Sequence, residues 1–144
     1  MALPRSIVVA TDFSETAEKA TLAAVELAKK LDARVLLVHA WMIPLVSSAD
    51  VPVPLPANFI DDLAADAQRA MDAALKRHQA AGVPVTGKVV CRDPRDGIIE
   101  LAQEAKADWL VIGTHGRRGL KRLVLGSVAE SVVRSAPCPV LVVR

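Results

Sequence analysis

From Asp108 to Glu130 the chain reads D-W-L-V-I-G-T-H-G-R-R-G-L-K-R-L-V-L-G-S-V-A-E, and its glycines are the residues best placed to do chemistry. Gly113 and Gly116 stop an apolar run, Trp109 to Ile112, that is short enough for a buried strand. Nine residues separate Gly116 from Gly126, and with Ser127 that glycine opens a segment, Val128 to Ser135, suited to a short helix. The unit reads strand, glycine loop, helix. Glycine leaves backbone N–H groups unshielded by a Cβ, and a helix start adds orphan donors and the positive end of a dipole. Phosphate is the ligand that such a loop fits best.

Four cations, Arg117, Arg118, Lys121 and Arg122, lie between the glycines, where they either offset a polyphosphate's charge or keep an exposed loop soluble. Ser127 with Glu130 forms Ser-x-x-Glu, a capping box that would start the helix without any ligand, while the backbone there stays able to hold phosphate. The loop is neither a Walker A motif, which needs Gly-Lys-Ser or Gly-Lys-Thr at the second glycine, nor G-x-G-x-x-G.

Its pattern, G-x2-G-x9-G-S at Gly113, Gly116, Gly126 and Ser127, resembles the nucleotide-binding signature of the universal stress protein family. The opening I-V-V-A-T-D-F-S and the closing C-P-V-L-V-V extend the resemblance over essentially the whole chain. It implies a doubly wound α/β domain, a three-layer α/β/α sandwich on a five-stranded parallel sheet of order 3-2-1-4-5. It further implies ATP held by backbone amides of Gly116, Gly126, Ser127 and Val128, and commonly a homodimer.

Elements must bring these residues together. Ser6 to Thr11 is a continuous apolar, β-branched run, as expected of a central parallel strand, and Asp12 follows it directly. Glu15 to Leu31 reads as a helix with Ala17, Ala20, Ala24, Leu27, Ala28 and Leu31 on one stripe and Ser14 as N-cap. Arg34 to Ala40 is the second strand, Asn58 to Ala81 a long helix, and Val83 to Cys91 a more polar third strand at a sheet edge. Asp93-Pro94 starts a helix to Ala105, and Val140 to Val143 is the fifth strand, an edge open to a second copy.

Asp12 ends the first strand and Gly113 the fourth. In open parallel sheets ligands sit beyond the carboxyl ends of strands whose connections leave to opposite faces, so adjacency of these two strands puts both residues in one crevice. The resemblance assigns Asp12, with Ala10 and Thr11 before it, to ribose or to phosphate bridged by Mg²⁺ or Mn²⁺, and Val38, His39 and Ala40 to the flank of adenine. Thr114, His115 and Arg117 are secondary contacts.

His39 and His115 end strands near Asp12, so a metal site of those three is weighed against ordinary hydrogen bonding, which the spacing favours. His78 falls on a charged helix face with no specific role. A slow ATPase would need His115 as base and Arg117 as cation, and nothing fixes their geometry. A nucleotide-free interaction module is the other rival. ADP and cyclic AMP compete with ATP as ligand, and a loop wide enough for several phosphates leans toward ATP.

Composition bounds the rest. The 144 residues suit one domain, and a 52% hydrophobic, 24% charged chain with 3% aromatics and no tyrosine lacks a base-stacking surface for nucleic acid. A net charge of +2 gives no broad attraction to nucleic acid or anionic membrane, and no leader or apolar span appears, so the cytoplasm is expected. Cys91 and Cys138 lack a C-x-x-C spacing and read as buried thiols. Trp41 to Ala57 holds Pro44, Pro52, Pro54 and Pro56, which exclude a regular helix or internal strand; it is read as a flap, a contact for an unidentified protein partner, or packing.

Overall fold

The computed structural model describes residues 2–44, 47–48, 51–115 and 125–144. In chain order the elements are β1 (Ser6–Ala10), α1 (Glu15–Leu31), β2 (Arg34–Trp41), β3 (Ser47–Ser48), β4 (Val51–Pro52), α2 (Ala57–His78), β5 (Val85–Cys91), α3 (Pro94–Glu104), β6 (Trp109–Gly113), α4 (Ser127–Ser135) and β7 (Val140–Val143). The main sheet runs β5-β2-β1-β6-β7 and every pair in it is parallel. Counting only its own strands, that is the order 3-2-1-4-5.

The centre of the sheet is buried on both faces because β1, β6 and most of β2 present apolar residues to both layers. Ile7 and Val9 of β1 pack with Leu37, Val111 and the alanines of α1, together with Met71 of α2. Val8 and Ala10 turn the other way, against Ile98 and Leu101 of α3 and Val132 of α4. Two helices therefore cover each face. Val8, Val9, Leu110 and Val111 are wholly inaccessible, each contributing about 1.5–3 kcal/mol of apolar burial at the centre of the domain.

Alanine makes the α1 side tight. Ala17, Ala20, Ala24 and Ala28 are buried, as their spacing predicts, with Thr21 and Val25 beside them. Ser14 caps this helix, its Oγ accepting from Ala17 N–H at 3.2 Å, and Asp93 caps α3 through Arg95 N–H at 2.9 Å.

Three expectations change. His78 is buried at 5% exposure, with Nε2 2.9 Å from Glu18 Oε1, so it ties α2 to α1 instead of lying idle on a charged face. Its position one turn beyond Ala74 and two beyond Met71 puts it on the apolar stripe of α2. The proline-rich segment holds a two-residue antiparallel ladder, Ser47–Ser48 with Val51–Pro52, separate from the main sheet. Cys91 is exposed on the β5 edge, while Cys138 is partly buried and its thiol is pushed up by desolvation.

Candidate functional site

Ala10 pairs with Val38 of β2 on one side and Ile112 of β6 on the other, so the carboxyl ends of three strands finish side by side. The helices leaving β1 and β6 go to opposite faces, and the gap between them is a cleft of about 700 Å³. Ala10, Thr11, Asp12, Ala40, Gly113, Thr114, His115, Gly126, Ser127 and Val128 all line it. Ten residues from four separated stretches thus meet at one place.

The turn from β1 into α1 is held by its own side chains. Asp12 Oδ1 accepts from Ser14 N–H at 3.0 Å and Thr11 Oγ1 from Phe13 N–H at 3.0 Å, while Phe13 takes a left-handed φ of 63°. These bonds fix the Asp12 carboxylate at the mouth of the cleft.

Gly113 is required by packing. A Cβ there would come within 2.8 Å of Thr16 Cγ2 and 3.2 Å of the Thr16 backbone, so β6 and the first turn of α1 close only over a glycine. Gly126 relieves a different contact: a Cβ would stand 3.0 Å from Thr114 O, the same oxygen that accepts the Gly126 N–H at 2.8 Å. Thr114 N–H in turn donates to Val143 O at 2.9 Å, which sews the end of β6 to β7.

Gly126, extended at φ −60° and ψ 155°, is the N-cap of α4, and no side-chain cap bond is formed there among the described residues. Ser127 is the first helical residue, so the capping box is not made; Glu130 instead pairs with Arg134 at 2.8 Å. The Thr114 contact causes the change, since it pulls Gly126 into the cap position. The first intrahelical bond is Glu130 N–H to Gly126 O at 2.8 Å, which leaves the N–H groups of Ser127, Val128 and Ala129 without helical acceptors at the cleft wall.

The histidines do not converge. His39 donates Nδ1–H to Thr11 O at 2.8 Å, and its ring lies 4.5 Å from that of Phe13, which packs on the α1 side. His115 stays at the cleft, its Nδ1 2.9 Å from Thr114 Oγ1 and its Nε2 buried without a hydrogen-bond partner among the described residues. No group of three His, Cys, Asp or Glu among the described residues is arranged to hold a metal ion. Val38 is fully buried in the core beneath Ala40, and neither it nor His39 lines the cleft. Gly116, Arg117, Arg118, Lys121 and Arg122 lie outside the described residues.

The sequence model of the universal stress protein family matches residues 4–144. The chain belongs to that family. A universal stress protein of Methanocaldococcus jannaschii is 34% identical over 143 residues, spanning 99% of this chain and 83% of the relative. Among solved structures, a universal stress protein in complex with cAMP superposes with a TM-score of 0.71 at 28% identity, covering 99% of this chain and 98% of the other. The Archaeoglobus fulgidus universal stress protein in complex with dAMP gives 0.72 at 26%, covering 99% and 100%.

In this universal stress protein the cleft has a wall that motif reading does not single out. Asp93, Pro94, Arg95 and Ile98 from the start of α3, with Met42 beyond β2, complete its lining. The available signal was positional: Asp93 follows β5, whose carboxyl end lies on the same sheet edge as Asp12 and Gly113. Arg95 Nε and Nη2 lie 3.0 and 2.8 Å from the Asp93 carboxylate and hold its pKa down to about 2.

A second depression of about 450 Å³ lies at the opposite sheet edge, lined by Arg5, Asp32, Arg34, Lys106 and Asp108. Both of its carboxylates are engaged, and its three cations leave it one positive charge in excess. Arg5 pairs with Asp32 at 3.0 Å, and Asp108 accepts from the N–H groups of Arg5 and Ser6 at 2.9 Å. Among the described residues no helix is long and apolar enough to cross a membrane.

Proposed function

We propose that this universal stress protein binds ATP in the cleft, with the phosphates at the start of α4 and Asp12 at the ribose. One observation carries the reading: a helix start without a side-chain cap opens into the same cleft as a carboxylate fixed at the end of β1. Orphan N–H groups and the helix dipole stabilise an anion there. Two relatives of similar fold were solved with adenine nucleotides, cAMP and dAMP, which supports the adenine class. The loop from Gly116 onward, with its basic residues, supplies further charge for a triphosphate in this reading.

Asp12 accepts from a ribose hydroxyl. A divalent Mg²⁺ or Mn²⁺ would be held by phosphate oxygens and water, with Asp12 as its nearest protein carboxylate. The protein acts as a nucleotide-dependent regulator in the stress response, and bound nucleotide is its signal.

The assembly is a homodimer through β7. Among the described residues this strand pairs with β6 on one side only, and Leu141 is 37% exposed on it, so its outer edge offers backbone bonds and apolar area to a second copy.

Native mass spectrometry of freshly purified protein, before and after addition of ATP, tests both parts. The expected spectrum is a dimer carrying one ATP or ADP mass per chain. A bare protein that ignores added ATP, ADP, cAMP and dAMP would overturn the binding reading. A monomer would overturn the assembly.

A further inference from the structure

Among the described residues two carboxylates line the cleft, and the nucleotide reading uses only Asp12. Asp93 lines the cleft at the start of α3 and is built to remain charged. Its Oδ1 accepts from Arg95 N–H at 2.9 Å and Arg95 Nε–H at 3.0 Å, and its Oδ2 from Arg95 Nη2 at 2.8 Å. A carboxylate has about four lone-pair directions, so one on Oδ2 is left for a further donor. The side chain is 27% exposed, and the pull of Arg95 keeps the carboxyl ionised down to about pH 2.

The backbone at the start of α3 has no donor left for a phosphate. Pro94 has no N–H, Arg95 N–H goes to Asp93 Oδ1, and the N–H groups of Asp96 and Gly97 go to Asp93 O at 3.1 and 2.8 Å. The backbone donors of the first turn are spent, and a carboxylate paired with Arg95 stands in front of them. The Asp93–Arg95 pair leaves this wall without net charge, and the open Oδ2 direction accepts from a hydrogen-bond donor. Between it and the start of α4 lies an apolar stretch, Ala40, Ile98 and Ile112, with Met42 half exposed at the rim. A flat heterocycle suits such a floor.

We infer that Asp93 is the base-specificity residue of the cleft, its free carboxylate direction accepting a hydrogen bond from an exocyclic amine on the purine. The inference rests on the nucleotide reading above and adds to it a reason for preferring an amino-purine. Arg95 is the positioning residue, because its clamp aims the carboxylate.

The test compares ATP with purine riboside triphosphate, which carries hydrogen in place of the C6 amine and differs in nothing else. Isothermal titration of the whole protein should show ATP bound about tenfold more tightly, the worth of one hydrogen bond to a charged acceptor. Asp93→Ser keeps an N-cap hydroxyl and removes the carboxylate, and the ratio should fall to within about twofold. Asp93→Asn keeps the cap oxygen without the charge, and should narrow the ratio in the same direction if Asp93→Ser does not fold. Equal binding of both triphosphates by wild type, or an undiminished ratio in either variant, overturns the inference while leaving the nucleotide reading intact. Wild type that binds neither triphosphate overturns both.

Discussion

Two helix starts on the same face of the sheet border the cleft and are finished in opposite ways. At α3 the cap is an aspartate followed by proline, and its own backbone and side chain consume the donors of the first turn. At α4 the cap is a glycine with no side-chain cap bond among the described residues, and its orphan donors point to the same space. Helix stability alone favours the α3 solution, since a carboxylate at the N-cap satisfies orphan groups and complements the dipole. The contrast therefore separates a start that completes itself from one left for a visitor.

Grafting the α3 solution onto α4 should break the contrast most severely. Gly126→Asp would install a carboxylate among the orphan donors, and ATP affinity measured by titration calorimetry should drop by about a hundredfold, as expected for losing two charge-assisted bonds. The melting temperature should change little, because the new cap offsets crowding at Thr114 O. Unaltered ATP binding would show that α4 is not the phosphate end.

Gly113→Ala addresses the other glycine, whose task is packing. A methyl group 2.8 Å from Thr16 Cγ2 must push β6 and α1 apart, costing about 1–3 kcal/mol in urea-denaturation stability. Ligand affinity should fall less than for Gly126→Asp. The opposite ranking would mean that Gly113, not Gly126, sets the phosphate geometry.

Acid should act on α3 and spare α4. Asp93 in the fold ionises near pH 2 against an ordinary 3.8, so its contribution to stability is complete above the ordinary value and disappears as pH falls toward 2. Carboxyl chemical shifts followed by NMR should place its midpoint near 2, and protection of the first α3 amides should fade over the same range. A midpoint at the ordinary value would remove the Arg95 clamp.

The mildest expectation concerns the two thiols. Cys91 is exposed at the end of β5, just ahead of Asp93, whereas burial raises the pKa of Cys138 and lowers its thiolate fraction. Maleimide labelling followed by mass spectrometry should modify Cys91 first. If bound ATP lies against the α3 wall, it should slow that labelling by a few fold.

Local chemistry was legible where one stretch contains both partners. Ser14 and Asp93 are caps because each bonds a backbone N–H within three residues, and the apolar runs of β1, β2 and β6 are strands because both sheet faces are covered. Ser127 misled because Gly126 is drawn into the cap position by Thr114, a contact decided where β6 ends and α4 begins. His78 misled because its partner Glu18 lies sixty residues earlier on another helix. The glycine spacing pointed to the cleft, but its α3 wall depends on where β5 delivers Asp93 and Arg95, and short-range pattern contains no record of that.

Thr114 is where two separate stretches of the chain are fastened, its N–H holding Val143 and its carbonyl holding Gly126. Anyone handling this protein inherits that arrangement as a practical rule. An affinity tag or fluorophore fused directly behind Val143 tugs on the very peptide that seats α4, whereas one attached ahead of Leu3, which is 71% exposed, leaves it undisturbed.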